Sequence, residues 1–199
     1  MDDVVEFPQY TCNERLKAKY LKDEFELINS SSVVFTSANH LKNVLAKRHP
    51  AIDVKKIHVV NNAVSDSLLN RYREKNSLLS KPKSLNKNKV ITYIGTISQW
   101  INWGLILKSL KSFDNIEYHF YGPIDCTVPS HERIFYKGIL PQNKIADAMQ
   151  ASDLLVMPFY VNSLIESVNP VKLDEYILSG IPAMACGYSE SEKFSDYVY

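Results

Sequence analysis

From Val90 to Cys186 short apolar runs alternate with amphipathic stretches, and this alternation restricts the fold more than any other feature of the sequence. Val90 to Ile94, Ile116 to Tyr121, Ile134 to Tyr136, Asp153 to Met157 and Pro182 to Cys186 have the length and content of strands. Helical spacing falls near Trp100 to Phe113, over Pro141 to Gln150 and over Pro170 to Ser179. Strands separated by helices pair in parallel through right-handed crossovers, so the expected fold class is α/β, a Rossmann-like parallel sheet. Ligands of such sheets sit outside the carboxyl ends of the strands, which directs attention to the strand-to-helix loops.

The first third predicts helix, strand, helix, strand. Leu16, Tyr20, Leu21, Phe25 and Ile28 recur at helical spacing between Asn13 and Asn29, and Val33 to Thr36 follows as a strand. Ser37 is placed to cap a helix carrying Leu41, Val44 and Leu45, which must stop before Pro50. Ile57 to Val60 is the next strand. From Ser65 to Lys89 the chain turns basic and poor in core residues, with Lys81-Pro82-Lys83 at its centre, and reads as a linker. A solvated hinge explains that charge, as would contact with an anionic membrane surface.

Composition narrows the function classes. Lys and Arg number 23 against 22 Asp and Glu, so there is no general basic field for nucleic acid. No run approaches the ~20 apolar residues of a membrane span, and the start has no signal-peptide pattern, so a cytoplasmic protein is expected. Cys12, Cys126 and Cys186 form no CxxC pair and the histidines no HExxH spacing, so neither zinc nor another metal or cofactor is expected.

Two loops stand out. In Tyr93-Ile94-Gly95-Thr96-Ile97-Ser98 a glycine follows a buried strand, which lets a ligand approach the backbone where a helix begins; a tight turn alone would also explain it. The second runs from Glu166 to Pro182. Asn169 is a favoured N-cap, Pro170 suits the first helical position and Gly180 supplies a left-handed stop. Lys172 then falls in the first turn, where the helix dipole disfavours a cation, and an anionic ligand would account for it. Glu175, three residues on, shares its face: the two could hold a phosphate and a ribose, or form a surface salt bridge. Glu166 adds a carboxylate at the mouth of the preceding loop.

The run Ser167-Val168-Asn169-Pro170-Val171-Lys172-Leu173-Asp174-Glu175-Tyr176, with Ser152 to Phe159 before it, resembles the donor-binding half of GT-B-fold glycosyltransferases of bacterial capsular, teichuronic or exopolysaccharide assembly. Val59-Val60-Asn61-Asn62-Ala63, Tyr93 to Ile97 with Trp100, and Tyr136-Lys137-Gly138-Ile139-Leu140-Pro141 agree in order, and Asp2 to Phe7 resembles the end of an acceptor domain. The resemblance implies transfer from a UDP- or GDP-sugar to a glycan or lipid-linked acceptor, retaining and without a metal. It implies phosphate contacts from Lys172 and the amides of Ser167, Val168 and Asn169. Diphosphate contacts would come from Gly95 and Thr96, a base contact from Ile139 and a ribose contact from Glu175, with Lys172 and Glu166 as the catalytic candidates.

Three departures accompany it. The family's two glutamates have seven residues between them, and counting back from Glu175 reaches Ser167, with Glu166 one residue off. The basic residues that many relatives carry after the first donor-domain strand are replaced by Thr96-Ile97-Ser98-Gln99-Trp100, and Asn61-Asn62-Ala63 stands for Asn-Gly. The expected division is 1–64 as the remnant of an acceptor domain, 65–89 as linker and 90–199 as donor domain, incomplete at its end. A partner-dependent or non-catalytic half completed by a second chain is the competing expectation. Sugar-nucleotide epimerisation ranks below both, since no acid/base set supports it.

Overall fold

The computed structural model describes residues 13–75 and 88–199. Asp2 to Phe7, Cys12 and the Lys81 to Lys87 part of the basic segment lie outside the described residues. Two units are present, unit 1 holding 1–62, 162–169 and 188–190, and unit 2 holding 63–161, 170–187 and 191–199.

In unit 1, α1 (Glu14–Ser30) starts because Asn13 Oδ1 accepts from the N–H groups of Arg15 and Leu16. It is followed by β1 (Val34–Thr36), α2 (Asn39–Arg48) and, after a 3-10 turn, β2 (Ile57–Val59), parallel to β1 with Val34 opposite Ile57. Ile28, Ala38, Leu41, Leu45, Ile52 and Ile57 form the core. Ser37 does not cap α2. Ala38 holds that position, and the Asn39 N–H is satisfied instead by the buried Glu190 carboxylate at 3.0 Å. On the buried face of α1 a second carboxylate, Glu24 at 3% exposure, is held by Arg48 Nη1 at 3.0 Å and His49 Nε2 at 2.6 Å. A short helix, α6 (Ser163–Glu166), also belongs to this unit, its first amides held by Asn162 Oδ1.

Unit 2 opens with a helix where the sequence predicts linker: α3 (Asp66–Lys75) buries Tyr72, whose hydroxyl reaches Met149 Sδ at 3.3 Å. The sheet then forms from β3 (Lys89–Ile94), β4 (Ile116–Tyr121), β5 (Ile134–Tyr136), β6 (Leu154–Met157) and β7 (Ala183–Ala185). All neighbours are parallel and the order is β5-β4-β3-β6-β7. β3 is the central strand and is buried from Val90 to Ile94, as a parallel strand covered on both faces must be. The helices are α4 (Trp103–Ser112), α5 (Gln142–Gln150) and α7 (Val171–Ser179). Right-handed crossovers put α4 on one face and α5 and α7 together on the other. Beside α4 lies an apolar cavity of ≈ 380 Å³ lined by Ile91, Leu105, Phe113, Val156 and Met184. Cys126 and Cys186 are free thiols. Among the described residues no helix is long and apolar enough to cross a membrane.

Candidate functional site

The carboxyl edge of the unit 2 sheet is built from glycines. Gly95, Gly122 and Gly138 follow β3, β4 and β5, all with positive φ. Gly95 N–H donates to Tyr121 O at 2.8 Å and Gly122 N–H to Gly138 O at 2.9 Å, so sheet-like pairing continues into the loops. A Cβ on Gly122 would lie 2.0 Å from Gly95 O, which leaves no room for any side chain.

Lys172 enters this edge from the first turn of α7. A Cβ on Gly95 would meet Lys172 Cε at 2.2 Å and Nζ at 2.9 Å, so the end of the lysine side chain lies directly over the Gly95 backbone, whose positive φ itself favours glycine. Burial holds the Lys172 ammonium below its ordinary pKa, with Glu175 opposing that effect. Among the described residues Lys172 has no hydrogen bond and no ion pair within 4.0 Å, so the alternative of an i, i+3 salt bridge with Glu175 does not form. Burial likewise raises the Glu175 carboxyl, against the pull of Lys172 and with a further push from Asp174. The result is a desolvated amine and a half-buried carboxyl on one helix face, neither neutralised by a direct partner.

What fixes α7 differs in part from expectation. Gly180 ends it with φ 69, as predicted. At the other end Pro170 is the cap residue and gives no side-chain bond. Asn169 does not cap: its Oδ1 accepts from Asn62 N–H at 2.9 Å, a partner in the loop after β2. Tyr176, fully buried, accepts from Ile94 N–H at 3.2 Å and so satisfies the last amide of β3. Thr96 does not sit at a helix start, because α4 begins only at Trp103; its carbonyl accepts from Tyr93 OH at 2.9 Å. Ile139 is 73% exposed beside Gly138.

The structure therefore gathers Gly95, Thr96, Lys172 and Glu175 in unit 2 and places Glu166, Ser167, Val168 and Asn169 in unit 1. Ser167 Oγ is used within α6, on Ser163 O at 3.0 Å, and Val168 O accepts from Tyr188 OH at 3.2 Å. Glu166 Oε2 stands 3.9 Å from His40 Nε2. Sequence reasoning missed Gly122, whose position directly after a strand was a usable signal, and His40, whose partner lies in a distant segment.

No protein-family model matches the sequence, and no curated protein does. Solved structures do match. The chain is similar to Anabaena Alr3699/HepE in complex with UDP and glucose, at 14% identity and a TM-score of 0.67 over 98% of this chain and 53% of that one. It is similar to α,α-trehalose 6-phosphate synthase from Burkholderia multivorans, at 8% identity and a TM-score of 0.60 over 91% of this chain and 50% of that one. The catalytic domain of starch synthase IV from Arabidopsis thaliana, bound to ADP and acarbose, matches at 12% identity and a TM-score of 0.50 over 82% and 41%. The chain thus spans about half the length of the first two or less than half of the third. With its central β3, its parallel five-stranded sheet and its flanking helices, the chain has the α/β fold of GT-B glycosyltransferase domains.

Proposed function

We propose that this chain carries the donor-binding half of a glycosyltransferase that takes its sugar from a UDP- or GDP-sugar. The observation that carries the reading is Lys172, a desolvated amine with no partner among the described residues, lying on the Gly95 backbone at the carboxyl edge of a parallel sheet. Such an amine is suited to an anion, and a diphosphate leaving group supplies one. As the bond between the anomeric carbon and the diphosphate oxygen breaks, negative charge gathers on that oxygen. Lys172 and the Thr96 amide neutralise it without a metal, the missing side chain of Gly95 letting the diphosphate come close to the backbone. Glu175 takes the ribose hydroxyls and the backbone at Ile139 the base. HepE with UDP-glucose and with UDP supports the ligand class.

The acceptor in this reading is a glycan or lipid-linked sugar, transfer is retaining, and the protein works in the cytoplasm, at the inner face of the membrane when the acceptor is lipid-linked. Residues 1–64 then belong to the acceptor domain, 65–89 to the connection and 90–199 to the donor domain.

The test is thermal. UDP or GDP at about 100 times its Kd adds roughly 2.7 kcal/mol, which for a chain of this size raises Tm by roughly 5 to 10 °C. Lys172→Ala and Glu175→Ala each abolish the shift. Absence of stabilisation by either diphosphate or any nucleotide sugar at millimolar concentration sinks the donor site.

A further inference from the structure

A second pair of polar side chains, in loose contact only, stands at the carboxyl edge of the unit 1 sheet. His40 is in the first turn of α2, just after β1 ends at Thr36, and Glu166 is the last residue of α6. Their nearest atoms, Nε2 and Oε2, are 3.9 Å apart, with the side chains 31% and 45% exposed. That separation is too long for a hydrogen bond, which needs about 2.7 to 3.2 Å between heavy atoms. One oxygen placed about 2.8 Å from each would bridge it. Among the described residues neither side chain makes a hydrogen bond.

The supports of the pair are by contrast fully engaged. Glu190, 1% exposed, anchors the first amide of α2, Asn162 holds the first amides of α6, and Asn62 ties the loop after β2 to Asn169 through two hydrogen bonds. Two heads are thus left open on arms that are fixed. On the same edge the buried hydroxyl of Thr36 has no hydrogen-bond partner. An exposed imidazole and carboxylate held 3.9 Å apart contribute little stability of their own, whereas an atom that donates to the carboxylate and accepts from the ring N–H satisfies both. A hydroxyl does so; an anion would be repelled by Glu166 and an ammonium has nothing to accept with.

We propose that His40 and Glu166 form a sugar-hydroxyl subsite on unit 1, the hydroxyl donating to Glu166 and accepting from the His40 ring. This rests on the glycosyltransferase reading for its ligand class, a polyol. The hydroxyl is that of a free glycan, and the arms of the test separate it from the hexose of a nucleotide sugar.

The experiment is nitrogen-15 NMR of the histidine rings in the full chain, with His40 assigned from a His40→Gln spectrum. Methyl α-glucoside, UDP and UDP-glucose are titrated separately, the glucoside to about 100 mM because a single subsite binds weakly. The expected result is a saturable shift of the His40 ring with the glucoside that Glu166→Gln weakens at least about tenfold. No movement of His40 with the glucoside, movement with UDP-glucose alone, or an unchanged titration in Glu166→Gln overturns the proposal. Tm with UDP, recorded on the same samples, reads the donor-site claim separately, and both side chains are exposed enough that the variants keep the fold.

Discussion

A lysine that its surroundings desolvate destabilises a fold until an anion arrives, and Lys172 is held in that condition against Gly95. Lys172→Met should therefore leave the chain as stable as before or more so, by roughly 1 kcal/mol at neutral pH, while losing the nucleotide-induced Tm shift. The folded-state pKa lies below the ordinary 10.5, so the unfolded chain binds more protons between the two values and stability rises with pH across that window. The advantage of Lys172→Met should accordingly shrink as urea midpoints are followed upward toward pH 10.5; an advantage that grows with pH refutes the burial argument. Gly95→Ala should also lose nucleotide binding, since the new methyl occupies the place of the amine. At this scale the sequence showed Lys172 and Gly95 plainly, because Pro170, Gly180 and the end of β3 fix their positions locally. Asn169 was misleading: a tertiary partner, Asn62, outcompeted the cap that local pattern favours. His40 carried no local signal at all.

Elements were legible where apolar residues recur and illegible where one side chain does the anchoring. The seven strands among the described residues match the expected runs, with ends shifted by a residue. Helix α3 was read as linker because Arg71-Tyr72-Arg73-Glu74-Lys75 offers a single core residue, Tyr72, and its seat on Met149 comes from another helix. Helix α6, four residues long, is little more than one turn, so no apolar position can recur within it to reveal it. Two substitutions test how elements are joined. Tyr176→Phe strips the partner from Ile94 N–H and should cost about 1 to 3 kcal/mol in chemical denaturation. Glu24→Ala leaves Arg48 and His49 without their shared carboxylate and should cost about 3 to 5 kcal/mol; a loss within experimental error would mean that water replaces the carboxylate there.

At the scale of the whole molecule, the parallel sheet of unit 2 has α5 and α7 across one face and α4 on the other, where the apolar cavity of ≈ 380 Å³ opens. Leu105, Phe113 and Met184 at its rim are 53%, 57% and 46% exposed. Native protein should bind the dye ANS there, and Leu105→Lys with Phe113→Lys should remove most of that fluorescence without shifting the melting transition by more than a few degrees; unchanged fluorescence would place the dye elsewhere. The glycine edge has a different implication. Because Gly95, Gly122 and Gly138 present main chain rather than side chains, and are tied to one another and to the sheet, a ligand arriving at that edge freezes almost no rotamers there. Recognition along it is a matter of fixed shape: analogues enlarged on the side facing the glycines should be rejected outright instead of being accommodated at reduced affinity.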